Sequence, residues 1–110
     1  METATGLANL PGLAAVEGVD GFFIGPSDLA ASLGHPGQPK HPEVQDAIGG
    51  AISLLASAGR PVGIFAGGIE DAARYARLGC RFIAVGSDAG TFARALRSLA
   101  GRARGALSTV

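Results

Sequence analysis

Three short apolar runs punctuate the chain: Gly21-Phe22-Phe23-Ile24, Val62-Gly63-Ile64-Phe65-Ala66 and Phe82-Ile83-Ala84-Val85. None alternates polar with apolar, so each is expected to be covered on both faces, as parallel strands are when helices flank the sheet. Each run ends in glycine and a short polar turn, respectively Gly25-Pro26-Ser27-Asp28, Gly67-Gly68 and Gly86-Ser87-Asp88. Helical spacing fills the intervals. Pro42 suits a first helical position and Glu43 a first turn. Val44, Ile48, Ala51, Ile52 and Leu55 then share one face until Gly59 and Pro61 stop the helix. Gly49-Gly50 is its weak point, at roughly 1 kcal/mol per Gly against Ala. A second helix is expected from near Ile69, with Glu70 and Asp71 in its first turn, Arg74 and Arg77 in its last, a Glu70–Arg74 pair, and an end at Gly79. After Asp88, the residues Phe92, Ala95, Leu96 and Leu99 recur at helical spacing. Upstream, Thr5 to Val16 reads as helical, with Leu7, Leu10 and Ala14 on one side and an interruption at Pro11.

The predicted order is α, β, long loop, α, β, α, β, α, and successive β-α units demand a parallel sheet with right-handed crossovers. Three strands make a small parallel sheet with two open edges. The pattern therefore predicts an α/β chain, a single partial domain over residues 1–110, equivalent to three and a half units of a (β/α)8 TIM barrel. A doubly wound sheet gives a similar string. The length fits this picture, because 110 residues lie at the lower end of the roughly 100–150 residues of an ordinary domain.

Composition narrows the class further. Nine basic residues balance nine acidic ones, so the basic footprint of a nucleic-acid binder is absent. The 18 glycines follow no repeat and point to many tight turns. Cys80 is the lone cysteine, which excludes an internal disulfide and a cysteine-based zinc site. No basic leader and no apolar stretch of about 20 residues is present, and a cytoplasmic location with no membrane partner is expected. Charge is uneven along the chain. Residues 1–39 carry Glu2, Glu17, Asp20 and Asp28 and no base, whereas residues 81–110 carry five Arg against Asp88. An acidic front without bases suits a divalent cation.

Barrel active sites gather at the C-terminal ends of the strands, which directs attention to Asp28, to Phe65–Gly68, to Ser87-Asp88, and to Glu2 if it closes a strand. In the Gly25-Pro26-Ser27-Asp28 turn, glycine lets a ligand approach and free N–H groups at Ser27 and Asp28 suit a carboxylate. The plainer alternative makes Ser27 or Asp28 a cap for a short helix over Leu29–Leu33. Gly67-Gly68 and Gly86-Ser87 are either a phosphate cradle or simple turns with Asp88 as a cap. His35 and His41 read as exposed loop residues, since no carboxylate or cysteine stands at ligand spacing with them. Cys80 reads as buried and inert. No serine-nucleophile elbow, P-loop or dinucleotide fingerprint occurs.

From Val16 to Gly34, through Val-Glu-Gly-Val-Asp-Gly-Phe-Phe-Ile-Gly-Pro-Ser-Asp-Leu-Ala-Ala-Ser-Leu-Gly, the chain closely resembles the HpcH/HpaI aldolase family. The likeness continues through His41-Pro42-Glu43-Val44-Gln45, Ala58-Gly59-Arg60-Pro61 and Phe82–Asp88. It spans essentially the whole chain but only the C-terminal two fifths or so of a family member, from the end of strand 5 to helix 8. The resemblance implies a class II, metal-dependent lyase that cleaves 4-hydroxy-2-oxo acids, such as 4-hydroxy-2-oxoheptanedioate or 2-keto-3-deoxy sugar acids, to pyruvate and an aldehyde. It implies one Mg or Mn ion on Glu2 and Asp28, a pyruvate carboxylate held around Gly25 and Ser27, and Phe65 shaping the aldehyde pocket. The family's catalytic His and Arg lie in the first half of the barrel, and neither His35 nor His41 matches them. Alone, the chain is therefore expected to be inactive, with Met1 standing where relatives have a strand residue. A hexamer is common in the family. Two other readings stay open: a phosphate-binding half-barrel of a phosphosugar enzyme, and a non-catalytic fragment that pairs with another chain.

Overall fold

The structure is a computed structural model that describes residues 1–108. Three parallel strands, β1 (Phe22–Ile24), β2 (Val62–Ala66) and β3 (Phe82–Val85), form a sheet in the order β1-β2-β3. Phe22 pairs with Val62 and Ile24 with Ile64, while Gly63 pairs with Phe82 and Ala66 with Val85. Sequence order and spatial order coincide, as in consecutive β-α units.

Among the described residues six helices connect and flank the strands: α1 (Ala4–Ala8), α2 (Leu10–Ala14), α3 (Pro26–Ser32), α4 (Pro42–Ser57), α5 (Ile69–Leu78) and α6 (Asp88–Leu107). The expected break at Pro11 is real: two short helices meet at Asn9, and proline occupies the first turn of α2. Helix α4 starts at Pro42 and carries all five predicted apolar residues into the core. Helix α5 stops at Gly79, whose φ of 110° is the left-handed conformation that lets the chain turn into β3.

The core lies around β2 and α4, where Ile48, Ile52, Leu55 and Ile64 are fully enclosed together with Ile24 and Leu29. Coverage of the strands is uneven, contrary to the pattern-based expectation. β2 is buried along almost its whole length, but β3 is exposed at Phe82 and Val85, and β1 at Phe23. An apolar run without alternation marks a strand that can be covered on both faces; it does not supply the cover. Helix α6 differs in the same way, because its predicted apolar row forms yet none of its residues is buried. The molecule consequently measures 65 × 27 × 21 Å.

Candidate metal and substrate site

The C-terminal ends of the strands collect most of the predicted site residues. At the β1 edge, the Met1 ammonium donates to the Phe23 carbonyl at 2.6 Å, and the Gly25 N–H donates to the Met1 carbonyl at 3.1 Å. These two bonds straddle Ile24 as a neighbouring parallel strand would. Glu2 is thereby delivered to the strand end. Its side chain lies over the Gly25 backbone, so that a Cβ at Gly25 would stand 2.9 Å from Glu2 Cγ and 2.9 Å from Oε1.

Helix α3 begins one turn earlier than expected. Gly25 is its N-cap without a side-chain bond, and Pro26 takes the first turn. Asp28 therefore does not cap the helix; it lies exposed in the first turn, where the helix dipole favours a carboxylate. Among the described residues neither the Glu2 nor the Asp28 carboxylate has a hydrogen-bond or ion-pair partner, and the N–H groups of Ser27 and Asp28 are also free. The Gly25 N–H is not free, being bound to Met1.

Ser27 and Phe65 meet in a neighbouring cavity of about 110 Å³, lined also by Pro26, Pro39, Lys40 and Tyr75. Glu2, Gly25 and Asp28 are not among its lining residues. A polar network that the pattern of residues did not reveal forms its far wall. Gln45 donates to the Pro39 carbonyl at 2.6 Å and to Tyr75 Oη at 3.2 Å, and accepts from Arg74. Asp71 pairs with Lys40 at 3.2 Å and with Arg74 at 3.5 Å. The expected Glu70–Arg74 pair is thus replaced, because Arg74 turns toward Asp71 and Gln45 and stacks over the Tyr75 ring at 4.6 Å.

The glycine turns after β2 and β3 behave as turns. Gly68 caps α5 without a side-chain bond. The adjoining cleft of about 570 Å³ brings the acids Glu70 and Asp71 beside Lys40 and Arg94. Ser87, and not Asp88, caps α6, accepting from the Gly90 N–H at 3.1 Å. Cys80 is buried as expected, and burial pushes its thiol pKa up.

The histidines require a correction. His35 Nε2 lies 2.7 Å from Glu43 Oε2, and the His35 and His41 rings stack with centroids 3.6 Å apart. A carboxylate does stand beside them. The Gly34–His41 loop bends back through Gly34 and Gly37, at φ of 86° and 73°, and closes a gap that linear spacing made look too wide. The hydrogen bond from His35, with its charge, holds the Glu43 carboxyl below the usual carboxylate range.

The sequence profile of the HpcH/HpaI aldolase/citrate lyase family matches residues 1–95, and the chain belongs to that family. It is 54% identical over 105 residues to a hydroxypyruvate/pyruvate aldolase of Pseudomonas aeruginosa, covering 96% of this chain and 39% of that protein. It is 51% identical over 100 residues to a 5-keto-4-deoxy-D-glucarate aldolase of Klebsiella pneumoniae, covering 91% of this chain and 39% of the relative. The crystal structure of a family protein from Burkholderia cenocepacia superposes with a TM-score of 0.83 at 42% identity, over 94% of this chain and 40% of that one. The chain thus spans about two fifths of the length of these relatives. Among the described residues no helix is long and apolar enough to cross a membrane.

Proposed function

We propose that the chain is the C-terminal portion, from the end of strand 5 to helix 8, of a (β/α)8 barrel aldolase that cleaves 4-hydroxy-2-oxo acids to pyruvate and an aldehyde. The observation that carries this reading is the pair of unpartnered carboxylates at the β1 end, with Glu2 laid against the bare backbone of Gly25 and Asp28 in the first turn of α3. Hard oxygen donors without competing bases fit Mg or Mn, which accept one or two carboxylates and retain open positions. When bound, such an ion supplies positive charge against the enolate oxygen that develops as the carbon–carbon bond breaks.

The chain's own residues account for binding. Ser27 and Asp28 offer two free N–H groups beside Asp28 for the pyruvate carboxylate, and Gly25 contributes by its missing Cβ. Phe65 presents an apolar surface in the cavity shared with Ser27, suited to the aldehyde portion. Lys40 is held by Asp71 and is not disposed as an imine-forming amine. Among the described residues no His or Arg pairs with Glu2 or Asp28; proton transfer is assigned to the barrel half that the relatives carry, and this chain alone is expected to be inactive. Assembly into an oligomer is supported by α6, where Phe92, Leu96 and Leu99 are 67%, 49% and 62% exposed.

Calorimetric titration with Mn2+ tests the carboxylate pair: Asp28→Asn is expected to weaken binding at least about tenfold, by analogy with the loss of a metal's supporting groups. Equal binding by both proteins would discard the pair. Retro-aldol turnover is expected only when the 110 residues are joined to the remaining barrel, and turnover by this chain alone would refute its dependence on them.

A further inference from the structure

We propose that His35, His41 and Glu43 form a second cation site, selective for a borderline transition-metal ion such as Zn2+, which clips the Gly34–His41 loop to the start of α4. One ligand atom from each of the three residues lies within 4.8 Å of the others. Ligands around a tetrahedral Zn2+, at bond lengths of about 2.0–2.1 Å, sit roughly 3.3 Å apart. Rotation of the exposed Glu43 and a tilt of the half-buried imidazoles out of their stack close the site, while His35 and Glu43, now 2.7 Å apart, open by a few tenths of an ångström to admit the ion. Two imidazoles and one carboxylate form a donor set suited to Zn2+, Ni2+ or Co2+ and poorly suited to Mg2+.

The backbone already meets the entropic cost of gathering these groups. Gly34 and Gly37 adopt left-handed conformations that fold the loop and bring the two imidazoles together, although one ring must tilt out of their stack, 14° from parallel, before both in-plane nitrogen lone pairs can meet one ion. The ion competes at His41 only with a long cap bond, in which the Glu43 N–H donates to Nδ1 at 3.3 Å. The site lies apart from Glu2 and Asp28 and uses nitrogen donors that the carboxylate pair lacks. Its consequence reaches the cavity, because the same loop supplies Pro39 and Lys40 to the wall opposite Ser27 and Phe65. An ion at the loop's two ends stiffens that wall.

The test is a titration of the full chain with Co2+, followed by visible absorption, and with Zn2+, followed by calorimetry, in excess Mg2+ to occupy hard oxygen sites. One equivalent is expected to bind, with a Co2+ spectrum of nitrogen ligation and slower amide exchange over residues 34–41. His35→Gln and His41→Asn are each expected to lower affinity about tenfold or more, whereas Asp28→Asn leaves it unchanged. His41→Asn retains a good helix cap, so its loss of affinity does not reflect a frayed α4. Failure to bind one equivalent, or binding by either histidine variant as tight as that of the wild type, overturns the proposal. Loss of Zn2+ binding in Asp28→Asn also overturns it, by placing the ion at the carboxylate pair.

Discussion

At Gly25 the backbone φ is −103°, a value open to any residue, so Gly25→Ala strains no dihedral. Its new Cβ instead meets Glu2 Cγ and Oε1, each at 2.9 Å, and Glu2 must swing away. The variant is expected to unfold in urea close to wild type while losing Mn2+ affinity, a separation that calorimetry and denaturation together reveal. Cys80 gives a second residue-scale prediction. Burial raises its pKa, so the folded chain keeps the proton after the unfolded chain has released it, and stability falls as pH rises through the thiol range. Thiol labelling at pH 8 is expected to be slow in the folded chain and fast in urea. Rapid labelling of the folded chain would mean that β3 opens readily. The strand-end turn that carries Asp28 was legible from Gly25-Pro26-Ser27-Asp28, and the burial of Cys80 from the apolar strand that it precedes. The meeting of His35 with Glu43 was not, since it depends on two left-handed glycines whose combined bend no linear spacing records. The role of Arg60 was equally hidden: it donates to the carbonyls of Ala14, Val16 and Val19, partners more than forty positions away.

The three strands and the two long central helices were readable at the level of elements, because period and punctuation agree there. α4 begins at Pro42 and α5 ends before Gly79 as read. The start of α3 was misplaced by a turn, since glycine serves as its cap and leaves no polar signature. Within the sheet, Gly63 is the tightest position. A Cβ there would lie 2.8 Å from the Phe82 carbonyl oxygen and 2.9 Å from Phe23 Cδ2. The first contact is backbone in the adjacent strand and cannot retreat without parting β2 from β3. Gly63→Ala is expected to cost about 2 kcal/mol or more, read as a lower urea midpoint with an unchanged slope. A midpoint within error of wild type would show that the sheet yields locally.

Whole-molecule form was the least legible level, because coverage depends on surfaces outside any one element. The apolar row of α6 marks its helix correctly but says nothing of what covers it, and none of its residues is buried; the run of β3 predicts a strand correctly and a covered strand wrongly. An exposed row of this kind favours association. Leu96→Glu is expected to shift the chain toward smaller species in size-exclusion chromatography with its circular dichroism unchanged, because Leu96 is not part of the core cluster. An identical elution profile would remove α6 from the association surface.

The pairing of Met1 alongside Ile24 also bears on how the chain is best handled. The Met1 nitrogen donates to the Phe23 carbonyl at the sheet edge, and one residue later comes Glu2. A purification tag or fluorophore attached at the N-terminus would enter the strand ladder beside the carboxylate pair, and a histidine tag there would bring its own imidazoles to both metal titrations. Placing the tag beyond α6, and removing it before any metal is added, keeps that edge free.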